Sequence, residues 1–253
     1  MKISVVTAVF NNRKTINTAI ESVLGQTCSD SIEYIVVDGM STDGTSDVIA
    51  QYGDKISAYY REPDDGIYDA LNKGISRSTG DVIGFVHADD ILANENVIQL
   101  ILDRFQGDDL DAVYGDLVYV DQGLEKVVRY WKSGEYDKNR FRLGWMPPHP
   151  TFYARREVYE NFGNYRNDFG SSADYECMLR IMYKHEVRVG YIPEILNKMR
   201  VGGESNESVV NRLKANLKDY ESWSVNGLTP PFGIRISKPA SKLLQYFSRP
   251  KQQ

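Results

Sequence analysis

Hydrophobic positions in the first part of the chain switch between two spacings. Short β-branched runs without polar interruption are typical of strands buried on both faces. Longer stretches in which apolar residues recur every three or four positions predict helices that pack on those strands. The predicted elements, strand and helix in turn, are ISVVTAVF (3–10), TINTAIESVLGQ (15–26), IEYIVVDG (32–39), TSDVIAQYG (45–53), KISAYYRE (55–62), GIYDALNKGISRSTG (66–80) and DVIGFV (81–86). This alternation predicts βαβ units, and therefore an α/β fold with a mostly parallel central sheet flanked by helices.

The second part of the chain shows the same spacings less regularly. The elements predicted there are helices at 96–105, 173–185 and 207–227, a strand or hairpin arm at 111–121, and strand-like runs within 187–201. The polar, aromatic and proline-bearing segment 122–150 fits neither spacing, and we assign it no element. A chain of 253 residues can bury one large core, so we expect one domain or two closely joined halves.

Carboxylates collect where the predicted strands end. Asp38 ends the second strand, Asp65 follows the third, and the adjacent pair Asp89 and Asp90 follows the fourth. In an open α/β sheet, ligands bind beyond the carboxyl ends of the strands. Carboxylates gathered there repel one another unless a cation joins them, and Mg²⁺ or Mn²⁺ held together with substrate phosphates meets that need. Asp-Gly pairs are also ordinary turn residues, so Asp38 and Asp65 stay open to either interpretation, whereas the pair at 89–90 favours a functional site.

Composition and motifs weigh against several classes of protein. A net charge of −5 is unlike a nucleic-acid-binding protein, and two distant cysteines fit neither a disulfide scaffold nor a zinc site. The first strand is followed by no GxGxxG, no GK[ST] and no glycine-rich basic loop, which argues against a Rossmann oxidoreductase, a P-loop protein and a nucleotidyltransferase. The start MKISVVTAVFNN is unlike a signal peptide and no run of about 18 apolar residues occurs, so we expect a cytoplasmic protein.

Six motifs follow one another along residues 1–203. They are ISVVTAVFNN, IVVDGMSTDGT, EPDDGIYDALNKGI, GDVIGFVHADDIL, HPTFYARREVYENFGNYRNDF and ADYECMLRI. In this order they resemble the family 2 glycosyltransferases with the GT-A fold, in particular bacterial enzymes of colanic-acid and O-antigen polysaccharide biosynthesis. The resemblance implies one domain over 1–221, with a nucleotide-sugar half at 1–115 and an acceptor half at 116–221, followed by a tail at 222–253.

The resemblance also implies a reaction and its partners. The expected activity is metal-dependent, inverting transfer of a sugar from a nucleoside-diphosphate sugar to a hydroxyl acceptor, with a lipid-linked saccharide as the acceptor. Mn²⁺ or Mg²⁺ would stabilise the leaving diphosphate, and a carboxylate would take the proton from the acceptor hydroxyl. A non-catalytic sugar-nucleotide-binding module stays an alternative, because two motif positions depart from the family pattern.

Donor-side residues follow from the same resemblance. Asp38 matches the acidic residue that contacts base or ribose, and Arg200 precedes the glycine pair of a late loop that closes over the diphosphate. His87-Ala88-Asp89 matches the DxD metal motif, with Asp89 as the ligand. The departure at His87 has two interpretations: a ring nitrogen ligates Mn²⁺, or the ring packs near the ribose. The other donor-binding residues that the resemblance implies are Ala8, Val9, Phe10, Asp65, Asn72, Lys73 and Ala88.

Acceptor-side residues come from the later motifs. Asp174 matches the acidic residue of the family's Glu-Asp motif and is implied as the general base, while Ala173 departs from the pattern. Its place at a helix start should keep Asp174 ionised, although a plain N-cap aspartate is the alternative. The resemblance also implies that Asp90 and His149 lie on the acceptor side. For His149, an imidazole packed in a proline-rich turn is the alternative.

Charge is separated along the chain by its last segment, 222–253. The net charge of −5 divides into +5 on this segment and −10 on residues 1–221. Isoleucine, leucine and aromatic residues alternate with the cations, a mixture that predicts docking on an anionic membrane surface, with about 1 kcal/mol from each basic residue. A strap packed on the acidic body is the alternative. The cations are Arg235, Lys238, Lys242, Arg249 and Lys251.

We predict that a variant ending at Asn226 loses binding to vesicles that contain anionic lipid, whereas the full chain co-sediments with them. Binding should weaken as salt rises, because screening reduces the attraction between the basic segment and the lipid surface. Vesicles of neutral lipid are the control. Equal sedimentation of the two proteins, or none at low salt, would contradict membrane docking.

Overall fold

A mixed sheet of nine strands lies at the centre of the part of the chain that the structure, a computed structural model, describes: residues 1–202 and 209–232. Across the sheet the order is β3-β2-β1-β4-β8-β6-β9-β5, and β7 pairs with β6 beside this path. The strands are β1 (Ile3–Val9), β2 (Ile32–Asp38), β3 (Ala58–Arg61), β4 (Val82–Phe85), β5 (Ile91–Leu92), β6 (Ala112–Val120), β7 (Val127–Trp131), β8 (Tyr153–Arg155) and β9 (Val189–Arg200).

Helices cover both faces of this sheet. One layer contains α1, α2 and α4, and the other contains α3, α5, α6 and α7. They are α1 (Ile16–Leu24), α2 (Thr45–Ala50), α3 (Ile67–Arg77), α4 (Val97–Gly107), α5 (Arg156–Phe162), α6 (Ala173–Met178) and α7 (Val209–Val225). The predicted α/β fold class is therefore confirmed.

The first four strands are the parallel part of the sheet, as the hydrophobic runs predicted. β2 and β4 flank β1, and β3 extends the sheet beyond β2. Every residue of β1 is buried, and its side chains alternate between the two helical layers. Val5 and Val9 face one layer while Val6 and Ala8 face the other, which explains why the run is apolar apart from two buried hydroxyl residues, Ser4 and Thr7, whose side chains are hydrogen-bonded.

The second half departs from the parallel pattern. β8 runs antiparallel to both β4 and β6, whereas β6 and β9 are parallel neighbours. The unassigned segment 122–150 contains β7, which forms a hairpin with β6, and a 3₁₀ turn at Lys138–Leu143. β7 is short and partly exposed, so it carries little periodic signal. Residue 115, the predicted boundary between the halves, lies inside β6, and one continuous sheet serves both halves.

Only the first part of the predicted tail is within the described residues. Residues 222–232 complete α7 and the turn after it, whereas all five tail cations lie outside the described residues. In the two described stretches, no helix combines the length and the hydrophobicity that crossing a bilayer requires.

A buried carboxylate ties the starts of three strands together. Glu33 of β2 accepts hydrogen bonds from the Ser4 hydroxyl of β1 and from the Thr79 backbone N–H (2.7 Å) and hydroxyl just before β4. Burial opposes ionisation of Glu33, but these bonds and the nearby Lys2 ammonium (3.6 Å) outweigh burial and lower its pKa to about 2. Glu33 therefore stabilises the fold in its charged form.

We predict that Glu33→Gln lowers the free energy of unfolding by about 2 kcal/mol at pH 7. The folded-state pKa lies below the unfolded one, so the contribution is complete above about pH 4.5 and is lost as pH falls towards 2. Urea unfolding at pH 7 and pH 3 should show the difference between the two proteins narrowing in acid.

Glu160→Gln is the matched control, because Glu160 makes an exposed ion pair with Arg156 and should contribute no more than about 0.5 kcal/mol. A pH-independent difference for Glu33→Gln would show that the loss is one of packing rather than of charge.

Candidate active site

The carboxyl ends of β1, β2 and β4 meet at one edge of the sheet. Asp38 at the end of β2 lies directly beside Val9 at the end of β1, and β4 ends at Phe85 beside Val6. The turn containing Asp89 continues from β4 at this same edge. The structure therefore brings the second-strand and fourth-strand carboxylates to neighbouring positions, as the strand-end pattern predicted.

Asp38 is wholly buried and holds the loop that follows β2. Its oxygens accept hydrogen bonds from Ser41 N (2.8 Å), Ser46 Oγ (2.6 Å) and Tyr59 OH (2.9 Å). Burial raises the pKa of the carboxyl, but these donors outweigh it and the net shift is downward. Asp38 is thus bonded to the protein itself, and its contact with a base or ribose stays a prediction.

Two loops at this edge are joined by three successive backbone N–H groups. Those of residues 11, 12 and 13 donate to side-chain oxygens of Ser41 (2.9 Å), Thr45 (2.9 Å) and Asp43 (3.0 Å), respectively. The arrangement requires left-handed backbone at Asn11 (φ 47°) and Met40 (φ 65°), a conformation that non-glycine residues seldom adopt. The rim of the site is therefore built before any ligand arrives.

The first-strand motif contributes one exposed side chain. Phe10 is 61% exposed beyond the end of β1, whereas the Ala8 and Val9 side chains are buried in the two helical layers. That all three line the nucleotide stays a prediction, although strand alternation directs the Ala8 and Val9 side chains into the core. Their backbone and the Phe10 ring are what this position offers to a ligand.

The third-strand motif places Asp64, rather than Asp65, against the sheet edge. Gly39 allows this approach, because a Cβ there would lie 2.3 Å from Asp64 Oδ2. Asp64 Oδ1 also accepts from the backbone N–H of Gly66 (3.0 Å). Asp65 is exposed, and its nucleotide contact stays a prediction. The sequence interpretation missed Asp64, although the Asp-Asp-Gly pattern contained it.

Asn72 and Lys73 serve the protein itself. The Asn72 amide donates to Tyr165 O (2.9 Å) and accepts from Tyr165 N (2.9 Å), which joins α3 to the segment after α5. Lys73 donates to Pro63 O (2.6 Å) and pairs with Asp69 (2.7 Å). The predicted donor contacts of Asn72 and Lys73 stay predictions, and in this structure both side chains bond to protein partners.

The fourth-strand motif forms a tight turn in which only one carboxylate is open. Asp89 is half-buried, whereas Asp90 is fully buried with Oδ1 accepting from Arg200 N (3.2 Å). Oδ2 of Asp90 has no hydrogen-bond partner among the described residues, and burial together with the neighbouring Asp89 charge raises its pKa well above the usual range. The acceptor-side role predicted for Asp90 stays a prediction; in this structure its side chain is fully buried.

Arg200 is also internal. It is 5% exposed, and its nitrogens donate to Asp89 O (2.5 Å), Thr18 Oγ1 (3.0 Å) and Gln122 O (3.2 Å). A phosphate would have to displace these bonds to reach the guanidinium. The predicted diphosphate contact of Arg200 stays a prediction; in this structure its guanidinium is bonded to the turn that contains Asp89.

Two histidines meet beside the metal motif. The His149 ring lies 5.4 Å from that of His87, stacks on Phe85, and shares a hydrogen bond through Nε2 with the Tyr165 hydroxyl (2.8 Å). Burial lowers the pKa of His149 well below its usual value, with the neighbouring His87 adding to the shift. His149 is thus a packed imidazole next to the metal motif, and its predicted place on the acceptor side stays a prediction.

Asp174 lies in the first turn of α6. It is half-buried, and Oδ1 accepts from the backbone N–H of Tyr175 (2.6 Å). Tyr68 of α3 lies beside Asp174. Burial raises the pKa of the Tyr68 phenol and the Asp174 charge raises it further, whereas a hydrogen bond with the Asp174 backbone lowers it. Sequence reasoning did not single out Tyr68, which connects the donor half to the predicted base.

α6 is fixed by a buried ion pair that sequence reasoning also missed. Glu176 and Arg180 form two hydrogen bonds of 3.0 Å each, and Asn226 of the turn after α7 donates to Glu176 (3.0 Å). Arg180 also donates to the carbonyls of Gly163 and Asn164 (2.7 Å each). The acid at position 176 and the arginine one turn later were the available signal.

Asp89 is suited to bind a divalent metal ion whose other ligands come from a diphosphate and from water. In residues 1–202 and 209–232, no three His, Cys, Asp or Glu side chains converge on a point suited to a metal ion. Mg²⁺ is commonly held by one or two carboxylates with phosphate oxygens and waters, which one half-exposed Asp89 can satisfy. Nδ1 of His87 is buried with no hydrogen-bond partner in the same residues, so both interpretations of His87 stay open.

Comparison with known proteins gives relatives of one kind. An uncharacterised glycosyltransferase of Mycobacterium tuberculosis is 28% identical over 183 residues, which cover 70% of this chain and 68% of the relative. A PGL/p-HBAD biosynthesis glycosyltransferase of Mycobacterium bovis is 24% identical over 214 residues, 83% of this chain and 80% of the relative.

Solved structures share the fold. Staphylococcus aureus TarS 1–349 in complex with UDP-GlcNAc superposes with a TM-score of 0.70 at 18% identity, over 89% of this chain and 65% of that one. The mannosyltransferase PcManGT of Pyrobaculum calidifontis, in complex with GDP-Man and Mn²⁺, superposes with a TM-score of 0.67 at 16% identity, over 99% of this chain and 76% of that one. This chain thus spans about two thirds of the TarS fragment, and these likenesses confirm the predicted GT-A fold.

The sequence profile described as glycosyl transferase family 2 matches residues 4–175, more than half of the chain. This range runs from β1 to the start of α6 and includes both Asp89 and Asp174. The chain belongs to glycosyl transferase family 2.

Proposed function

We propose that this protein is a metal-dependent, inverting glycosyltransferase that moves a sugar from a nucleoside-diphosphate sugar to a hydroxyl acceptor. The observation that carries the proposal is the pair of half-buried carboxylates, Asp89 at the end of the parallel strands and Asp174 at the start of α6. The complexes of TarS with UDP-GlcNAc and of PcManGT with GDP-Man and Mn²⁺ support this donor class.

On the donor side, the chain supplies a preformed rim and one carboxylate. Phe10 presents an exposed ring at the rim, and Asp89 would hold Mn²⁺ or Mg²⁺ together with the diphosphate oxygens. A bound divalent ion supplies charge stabilisation for the leaving diphosphate. Asp89 orients the donor by this link, while the joined loops after β1 and β2 keep the rim in place.

On the acceptor side, Asp174 acts as the general base. Its carboxylate accepts the proton of the attacking hydroxyl, and the N-terminal position on α6 favours the ionised form before the transfer. The hydroxyl oxygen forms a bond to the anomeric carbon as the bond to the diphosphate oxygen breaks. One base and one displacement give inversion, since no second nucleophile is required.

A lipid-linked saccharide in surface polysaccharide assembly is the acceptor that we propose. An acceptor of this kind lies at a membrane. Docking of the basic segment 222–253 on the inner face of the cytoplasmic membrane would bring the protein to that acceptor. One related protein is named as a PGL/p-HBAD biosynthesis glycosyltransferase. The acceptor proposal rests on the motif resemblance and on the charge separation of the sequence.

We predict that Asp89→Asn abolishes metal-dependent release of nucleoside diphosphate from sugar nucleotides, while the melting temperature holds or rises. Removing the charge ends the ligand's attraction for the metal, and it also removes one of the two causes that raise the pKa of the buried Asp90. The measurement is nucleoside diphosphate release over a panel of UDP, GDP and dTDP sugars with saturating Mn²⁺. Asp54→Asn, in an exposed turn, is the control and should keep full activity.

Undiminished release by Asp89→Asn would overturn its assignment as the metal ligand. Nucleotide binding by the unsubstituted protein, without turnover of any donor in the presence of saccharide acceptors, would favour the non-catalytic binding module.

We predict that Asp174→Asn lowers kcat by about 10²–10⁴-fold, the usual effect of losing a positioned proton acceptor. Donor affinity, measured by calorimetry, should change little because the base faces the acceptor. Asp168→Asn is the control, since that carboxylate is exposed and lies six residues before the base. A collapse of donor affinity together with the rate would place Asp174 in the donor site instead.

A further inference from the structure

Arg200 lies beneath the turn that presents Asp89. We infer that Arg200 is a positioning residue whose guanidinium fixes the main chain of this turn, and thereby the direction of the Asp89 carboxylate, rather than binding the donor phosphate. The inference rests on the proposed function, in which Asp89 holds the metal with the diphosphate. Arg200, at the end of β9, would then contribute to metal binding without contacting the metal or the donor itself.

The guanidinium connects three separate parts of the chain. Nη1 donates to the Asp89 carbonyl (2.5 Å), Nη2 to the Thr18 hydroxyl of α1 (3.0 Å), and Nε to the Gln122 carbonyl after β6 (3.2 Å). Arginine suits this task because its donors form a rigid fork on one plane. A buried guanidinium whose three nitrogens all donate to protein atoms supports the turn structurally rather than binding a ligand.

The turn is held at neighbouring points as well. Thr15 at the start of α1 donates through Oγ1 to the carbonyl of Ala88 (3.0 Å), one residue before the carbonyl that Arg200 holds. The backbone N–H of Arg200 donates to Oδ1 of Asp90 (3.2 Å), one residue after it. Three consecutive residues of the turn are therefore fixed from outside, and the Asp89 carboxylate is not one of the bonded groups.

This division of roles explains the burial of Arg200 and the partial exposure of Asp89. The direction of a short side chain follows its own main chain, so a turn that rotates would carry the carboxylate with it. Outer partners that orient a metal ligand typically contribute about 10–100-fold to metal affinity. A phosphate-binding arginine would instead present its fork to the donor, as bidentate recognition requires.

The test separates metal affinity from nucleotide affinity. Mn²⁺ binding is measured from the electron paramagnetic resonance signal of free Mn²⁺ in the presence of UDP, GDP or dTDP, and nucleotide binding is measured by calorimetry in EDTA. We expect Arg200→Lys and Arg200→Met to weaken Mn²⁺ binding by about 10–100-fold while nucleotide affinity in EDTA stays within about twofold.

Two further variants guard against a simple loss of folding. Thr18→Val keeps Arg200 and removes one of its bonds, so Mn²⁺ binding should weaken by about 2–10-fold at an unchanged melting temperature. Arg188→Met makes the same replacement at the other end of β9, where the arginine pairs with Asp111 at the surface, and should leave both affinities unchanged.

Asp89→Asn, measured in parallel, distinguishes the two ways of failing. If it weakens Mn²⁺ binding and the Arg200 and Thr18 variants do not, the positioning role is overturned while the proposed function stands. If the Arg200 variants weaken nucleotide binding in EDTA, Arg200 binds phosphate and the inference is wrong. If Asp89→Asn leaves Mn²⁺ binding unchanged, the proposed metal site fails and the positioning role fails with it.

Discussion

The relative alignment of three strands depends on one buried carboxylate. Glu33 links β2 to Ser4 of β1 and to Thr79 before β4, all at the end of the sheet opposite the candidate active site. Strands have a nearly fixed rise per residue, so fixing their starts also fixes where they end. A one-residue slip would exchange the two buried faces of each strand, and it would move the end of β2 away from the end of β1. The hydrogen bonds of Glu33 at the strand starts thus fix the position of the opposite strand ends, where a donor would bind.

Charged groups of the candidate site differ in how deeply they are buried. Asp38, Asp90 and Arg200 are buried, and their polar atoms are used largely to hold loops in place. Asp89 and Asp174 are only half-buried. The buried groups stabilise the loops through their hydrogen bonds, and the two half-buried carboxylates are the ones for which we propose roles in the reaction.

Local pattern was enough for the fold and for bringing the strand-end carboxylates together, but not for the contacts that individual side chains make. Apolar runs specify buried strands, and strand ends in a parallel sheet share an edge, so Asp38 and Asp89 could be placed together from the sequence. Asp90 is buried against a segment more than 90 residues away, and Asn72 bonds to a segment that is also more than 90 residues away in sequence. The internal bonds of Arg200 likewise join it to distant parts of the chain. Nothing in the neighbourhood of those residues indicates which distant backbone they will meet.

A single sheet that runs through both halves also limits how the protein can move. β6 and β9 pair along most of their length, and β8 joins them to β4, so a hinge between the donor and acceptor halves would have to break main-chain ladders. Large openings occur where loops or element ends absorb the change in backbone angles. In the function that we propose, donor and acceptor would therefore meet on a platform of fixed shape. Any adjustment to substrates of different size would fall to the loops at its rim rather than to the sheet.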